Sequence, residues 1–284
     1  MAGRRPVSAA LLPLGVIVID IDPVLLRLGP LALHWYGLMY AAGIAVGLTA
    51  VGRYARQQGI TGQVLGELAW GTGLAALLGG RLYYVAQTRR EWYLAHPLRV
   101  LAAWDGGMAF YGALFAGAPV LALLAHRRGV SPWRALDAAA LFAPLAQAIG
   151  RVGNLINGDV VGYPSALPWA TSYTNSGSFA VHGVAYQPAA AYELLFSLAL
   201  FALLWRARGW DQAPGSLFAL YLCLYAAGQF VLFYWRDNPL LVLGLKQAQL
   251  TSLAVLAAAG PLLWWRMRRI REAQPDSGRP GSAP

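Results

Sequence analysis

Charged residues are scarce in this sequence of 284 residues: Asp, Glu, Lys and Arg make up 12% of it, where a soluble domain spends about a quarter. That is too little to cover a water-facing surface. With 58% hydrophobic residues and a mean hydropathy of +0.48, it excludes both a disordered chain and a soluble globule. Cysteine is scarcer still. The single Cys223 excludes an internal disulfide, and its place in an apolar run reads as a small buried hydrophobe without a redox role. The four histidines, His34, His96, His126 and His182, have no metal-ligand spacing to one another, to the cysteine or to a carboxylate. There is no Gly-rich phosphate loop, no Ser-His-Asp arrangement and no cofactor box, so neither a metal nor an organic cofactor is expected. Nor is there an internal repeat of the inverted-repeat transporter kind.

What the sequence has is long apolar runs and basic charge. The net charge of +10 sits mostly in connecting segments rather than in one aromatic-interleaved patch, which points to a lipid bilayer with anionic headgroups and not to nucleic acid. A span needs about twenty apolar residues to cross the hydrocarbon. Seven stretches qualify: 33–51, 68–86, 108–125, 136–149, 189–205, 216–234 and 250–265. The expected fold class is therefore an all-α integral membrane protein of about seven transmembrane helices. Basic residues are more numerous on the side of the C-terminus, including Arg266, Arg268, Arg269 and Arg271, which favours a cytoplasmic C-terminus and an outer N-terminus.

The expected organisation is a lead-in over 1–32, a membrane domain over 33–266 and a basic, then disordered, tail over 267–284. Arg4 and Arg5 before the apolar run 11–19 imitate a secretory signal. Pro13 interrupts that run, and it leads into Asp20 and Asp22 without a small-x-small cleavage site, so an interfacial or re-entrant lead-in is expected. The connection 151–188 is rich in Gly, Asn, Ser, Thr, Tyr and Pro, and loops of such length are usually functional. It predicts a small extracytoplasmic cap with short strands around 170–185.

Polar residues at apolar depth are the informative ones, because an ionisable group there costs several kcal/mol unless it is paired or faces water. Arg81 follows Gly79 and Gly80, Asp137 opens the fourth stretch beside Arg134, Glu193 lies in the fifth, and Arg236 ends the sixth. Each has a structural alternative. Arg236 fits an interfacial arginine among aromatics, Glu193 fits a partner for a span arginine such as Arg81, and Asp137 fits the inner headgroups. The densest cluster runs from Gly150 to Asp159. If the helix continues there, Arg151, Asn154 and Gly158 fall on one face, gathering donors around an anion such as a phosphate at headgroup depth, to which a guanidinium fork is matched. Helix termination by Asn157 and Gly158 explains those two residues but not the charge of Arg151.

Three stretches resemble a known family, the prolipoprotein diacylglyceryl transferases of the bacterial cytoplasmic membrane. They are Gly29-Pro30-Leu31-Ala32-Leu33-His34-Trp35-Tyr36-Gly37-Leu38-Met39-Tyr40, Trp104-Asp105-Gly106-Gly107-Met108-Ala109-Phe110-Tyr111-Gly112, and the signature Gly150 to Gly158. Gly79-Gly80-Arg81, Tyr192-Glu193, Arg236 and the Gln249 region follow in the family's order, so the resemblance covers about 20–265. It implies seven spans with the N-terminus outside and the active site toward the extracytoplasmic side. It also implies transfer of the diacylglyceryl group of phosphatidylglycerol to the lipobox cysteine of a preprolipoprotein signal peptide, with release of glycerol 1-phosphate and no cofactor. On that reading Arg151 and Arg236 clamp the phosphate. Tyr36, Arg81, Asn154, Asn157, Gly158 and Glu193 bind substrate, and Tyr111 and Asp159 belong to the catalytic set.

Three positions depart from the family pattern. Tyr111 stands in place of a histidine associated with thiol activation, Asp159 in place of Glu, and Tyr186-Gln187-Pro188 in place of a His-Pro pair. A phenol of ordinary pKa, about 10, is a poor base at neutral pH. The thiol is activated by the surroundings of Arg151, by Asp159, or by chemistry altered in this member. Two alternatives carry different functions: a divergent lipid transferase with another acceptor, and a non-catalytic lipid-binding or transport protein. Oligomeric state has no signature in the sequence.

Overall fold

The computed structural model describes residues 15–29, 31–88, 90–101, 107–210 and 213–273. Arg4, Arg5, the first part of the apolar run 11–19, Pro30, Trp104 to Gly106 and the tail beyond Ala273 lie outside them. The described chain is mostly helical. After three short strands, β1 (Ile17–Ile19), β2 (Val24–Leu28) and β3 (Leu31–His34), come α1 (Trp35–Gln57), α2 (Gly62–Gln87), the short α3 (Arg90–Ala95) and a 3-10 turn (Pro97–Leu101). There follow α4 (Phe110–Arg127), α5 (Pro132–Asn157), β4 (Thr171–Tyr173), β5 (Ala185–Tyr186), α6 (Ala189–Ala207), α7 (Ser216–Leu232) and α8 (Gln247–Ala273).

Each predicted apolar stretch falls on a long helix, displaced at its ends. Among the described residues five helices are long and apolar enough to cross a membrane: α1, α4, α5, α6 and residues 247–268 of α8. α7 is equally apolar but shorter. α2 carries Glu67 and Arg81, yet Trp70, Leu74, Leu77 and Leu78 form an exposed stripe along it, Trp70 to 85%. Spacings of three and four residues keep these side chains on one face of the helix, toward an apolar solvent. The same inversion holds elsewhere: large apolar side chains are exposed while Arg81, Asp137, Glu193, Gln229, Lys246, Gln249 and Arg266 are buried. Such a surface belongs in a bilayer.

The chain forms two compact units. One comprises residues 1–48, 142–207 and 221–260, the other 49–141, 208–220 and 261–284. In the second unit α2 and α4 approach through glycines. A Cβ on Gly79 would stand 2.6 Å from the carbonyl oxygen of Gly112, and one on Gly112 2.5 Å from that of Gly79, a backbone approach that only small residues permit between membrane helices.

Two expectations about this unit are corrected. Asp137 does not face the headgroups: it is buried and accepts from the backbone N–H groups of Gly215 at 2.6 Å and Phe218 at 2.9 Å. Its carboxylate thus satisfies donors left open at the start of α7. Arg81 does not pair with Glu193. Its guanidinium donates to the carbonyls of Val100, Arg99 and Gly107 at 2.9, 2.9 and 3.2 Å and lies against the rings of Tyr84 and Tyr93, fastening the connection between α2 and α4.

The first unit holds the cap strands. β1 pairs in parallel with β4, and β4 runs antiparallel to β5, giving a three-stranded sheet in the order β1-β4-β5. β2 and β3 form a separate antiparallel pair. Over its described part the expected interfacial or re-entrant lead-in contains the three strands β1, β2 and β3, and β1 completes the sheet of the connection before α6. The reason is local. Ile17-Val18-Ile19 is a β-branched run too short to span anything but suited to a sheet edge.

Candidate active site

The signature stretch lies on the last turns of α5, which continues through Asn157, so the helical reading of Arg151 to Gly158 is the observed one. Gly158 ends the helix with φ of 69°, and its N–H returns to the carbonyl of Asn154 at 2.9 Å, a left-handed cap that glycine adopts without a Cβ penalty. The strands then grip this end. The Tyr173 hydroxyl donates to the Leu155 carbonyl at 2.9 Å, and the Phe179 N–H donates to that of Asn157 at 3.0 Å. Carbonyls that a helix terminus leaves open are thus paired, and the turn carrying Arg151 and Asn154 is fixed.

Arg151, Asn154, Asp159, Glu193 and Arg236 form one connected group. Glu193 of α6 is 1% exposed and lies between two guanidiniums. Its Oε1 receives Nη1 of Arg236 at 2.7 Å, and its Oε2 is in ion-pair contact with Nη2 of Arg151. Arg151 also donates from Nη1 to Oδ1 of Asn154 at 3.1 Å. The Asn154 amide in turn donates to both oxygens of Asp159 at 3.2 Å. Asp159 is exposed, so the chain of contacts runs from a buried carboxylate to a solvated one.

Two cations share one buried anion at the core of this group. With Glu193 alone the two guanidiniums leave a positive surplus, which Asp159 offsets only from the exposed end, and both keep some exposure, so the pair can receive a further anion. Tyr36, Tyr40 and Tyr225 lie within electrostatic range of Arg151, and the rings of Tyr36 and Tyr40 pack at 4.7 Å. Asn157 and Gly158 are buried where α5 ends.

Arg236 lies beyond the end of α7, and backbone pairing fixes it there. Gly162 and Arg236 form an isolated antiparallel bridge, with the Tyr163 N–H on the Trp235 carbonyl at 3.0 Å and the Gly162 N–H on the Gln187 carbonyl at 3.0 Å. Only glycine fits at 162, since a Cβ would stand 2.4 Å from the Trp235 carbonyl oxygen. Gln187 is further tied by the hydroxyl of Tyr192, which donates to its Oε1 at 2.7 Å and accepts from Nε1 of Trp169 at 2.8 Å.

The remaining predicted site residues, Arg81 and Tyr111, belong to the other unit. Tyr111 is buried on α4, its ring against Phe110 and Phe115. Among the described residues no group of three or more His, Cys, Asp or Glu side chains is placed to hold a metal.

A family model described as prolipoprotein diacylglyceryl transferase matches residues 23–265. The chain belongs to that family. Relatives named phosphatidylglycerol–prolipoprotein diacylglyceryl transferase include one from Bordetella parapertussis, 40% identical over 255 residues, covering 86% of this chain and 95% of the relative. Another from Bordetella avium is 39% identical over 263 residues, covering 89% and 97%. One from Symbiobacterium thermophilum is 35% identical over 264 residues, covering 91% and 97%. This prolipoprotein diacylglyceryl transferase family member is thus a membrane transferase, matched to its relatives across nearly their full length.

Sequence reasoning passed over several residues that build the site. Gly162, Tyr163 and Tyr173 sat unremarked in the long connection, because the partners that give them meaning come from other elements. Lys246 is missed as well. Its signal was available: it is the one lysine among 22 basic residues, placed just before the last apolar helix.

Proposed function

We propose that this chain transfers the diacylglyceryl group of phosphatidylglycerol to the lipobox cysteine of preprolipoproteins, the first step of lipoprotein maturation. The observation that carries the reading is the pair of guanidiniums, Arg151 from α5 and Arg236 from beyond α7, held on the two oxygens of one buried Glu193. A phosphate entering beside that carboxylate meets two guanidinium forks that already share one anion and can share a second.

In the reaction the cysteine sulfur attacks the glyceryl carbon that carries the phosphate ester. A C–S bond forms, the C–O bond breaks, and the bonding pair leaves with the oxygen of glycerol 1-phosphate. Charge grows on the departing phosphate, and Arg151 and Arg236 stabilise it there more than in the bound lipid, which is what accelerates the step. Asn154 orients Arg151, and Tyr36 borders the headgroup. Glu193 fixes the clamp, Asn157 and Gly158 end the helix that presents it, and Arg81 holds the connection before α4. The thiol proton goes to Asp159, the solvated carboxylate at the end of the hydrogen-bonded chain. A phenol of ordinary pKa is already protonated at neutral pH, so Tyr111 does not take it.

In this reading seven helices, α1, α2 and α4 to α8, cross the bacterial cytoplasmic membrane with the N-terminus outside and the C-terminus inside. Residues 1–32 form the lead-in, 33–266 the membrane domain with its outer cap over 151–188, and 267–284 the cytoplasmic tail.

The test is the full chain in phosphatidylglycerol nanodiscs with a lipobox peptide. Mass spectrometry should find the peptide heavier by one diacylglyceryl group and glycerol 1-phosphate released. Arg151→Ala and Arg236→Ala should abolish both products while remaining folded. Near-normal transfer by either variant contradicts the reading.

A further inference from the structure

Lys246 is 3% exposed, and no carboxylate pairs with it among the described residues. A buried ammonium needs compensation. Here backbone carbonyls supply it. Nζ donates to the carbonyl oxygens of Phe233 at 2.5 Å, Arg236 at 2.6 Å and, more distantly, Tyr234 at 3.4 Å. It also lies 4.8 Å from the centre of the Tyr163 ring, a cation against an aromatic face.

These contacts close the accounting of an awkward segment. Between the end of α7 and Arg236 the chain leaves its helix, and every carbonyl there needs a new donor. Those of Gln229, Val231 and Leu232 receive the N–H groups of Phe233, Tyr234 and Trp235, and that of Trp235 receives Tyr163. Phe230 receives Nε2 of Gln249 at 3.1 Å. The carbonyls of Phe233 and Tyr234 are left to Lys246, which also shares that of Arg236 with the N–H of Asn238 at 3.0 Å.

Lys246 is itself held in place. Its N–H donates to Oε1 of Gln249 at 2.9 Å, so the third residue of α8 reaches back to the residue before the helix, as in half of a capping box. One compact cation thus draws together the turn whose last residue is Arg236, and a point charge with three donors suits converging carbonyls better than a planar fork does.

We infer that Lys246 is a positioning residue that sets the placement of Arg236 for the phosphate it clamps. The inference rests on Arg236 serving as a clamp residue. Without the ammonium, the carbonyls of Phe233 and Arg236 repel one another and turn toward water. The guanidinium is displaced on Glu193, while the acceptor thiol, which Arg236 does not bind, is unaffected. A misplacement of about 1 Å can cost about 100-fold in rate.

The experiment is steady-state kinetics on the full chain in nanodiscs, varying phosphatidylglycerol and lipobox peptide separately, for Lys246→Met and for Lys246→Arg, which keeps the charge and so protects folding. The expected result is a fall of about 10- to 100-fold in kcat/KM for phosphatidylglycerol, with KM for that lipid raised and KM for the peptide unchanged. In a Cys223→Ala background, Lys246→Cys treated with bromoethylamine rebuilds an ammonium at nearly the original length and should restore the lipid KM. If both variants keep wild-type constants, or lose only kcat with both KM values unchanged, the inference is overturned, because loss of folded enzyme alone produces the second pattern. Retention of transfer by Arg236→Ala would instead remove the clamp reading itself, whatever Lys246 does.

Discussion

Arg236 donates from Nη1 to Oε1 of Glu193 at 2.7 Å, which leaves the other oxygen of the same carboxylate to Arg151. The carboxylate is thus a spacer between two cations that would otherwise repel one another. Glu193→Gln removes the charge but keeps the shape, so it separates spacing from sterics. Breaking a buried ion pair by removing one partner costs about 3 to 5 kcal/mol. The expected outcome is a lower thermal midpoint in detergent, with diacylglyceryl transfer reduced at least about 100-fold. Transfer at more than half the wild-type rate with an unchanged midpoint would show that the pairing is dispensable.

The two candidate proton acceptors make opposite predictions. Asp159→Asn keeps an oxygen for the Asn154 amide, which now donates to both carboxylate oxygens at 3.2 Å, but cannot take a proton. It should lower the single-turnover rate at neutral pH by about 100-fold or more, with recovery as the medium is made alkaline and the thiol ionises unaided. Tyr111→Phe should change the rate less than about threefold, within what loss of a hydroxyl that takes no part in the transfer does to packing. Reversal of the two effects would assign the base to the phenol.

Gly162 is the residue that lets the cap strand meet the segment of Arg236. Gly162→Val puts a branched side chain where even a Cβ would stand 2.4 Å from the Trp235 carbonyl and 2.6 Å from Cβ of Gln187. The bridge to Arg236 must open. Transfer should be lost while the helical circular dichroism is retained, since no helix depends on that bridge. A variant with normal transfer would mean that the bridge does not govern Arg236.

Tyr173 links the sheet to the end of α5. Burial first, and then the neighbouring Asp159 carboxylate, push its phenol up to about 12. The folded state therefore holds the proton more tightly than the unfolded chain, whose phenol titrates near 10. The stabilisation is complete below about pH 10 and is lost as pH rises through about 12. Tyr173→Phe should remove that alkaline step and lower stability at neutral pH by about 1 kcal/mol. Thermal melts from pH 8 to pH 12 check both, and an alkaline step of unchanged size in the variant would assign it to another tyrosine.

The helices were legible because their information is local. Composition and run length alone mark the apolar stretches, and the signature Gly150 to Gly158 falls on one continuous helix end, so Arg151 and Asn154 stand out together. Helix ends were less so. The first predicted span began at Leu33, but Leu33 and His34 pair with β2, a choice set by a partner strand. The short strand β1 was hidden for a related reason: three residues carry too little pattern to declare themselves, and their partner β4 lies far along the chain.

What the sequence determined by itself is the solvent. A chain with so little charge and such long apolar runs needs a bilayer, and its few intramembrane ionisable residues need a reason to be there. What only the tertiary structure decided is which of those residues meet. Arg81 and Asp137 proved to satisfy backbone groups, while Glu193 joined Arg151 to Arg236, because a buried charge takes whichever partner the packing of distant helices brings within reach, and no spacing along the chain encodes that distance.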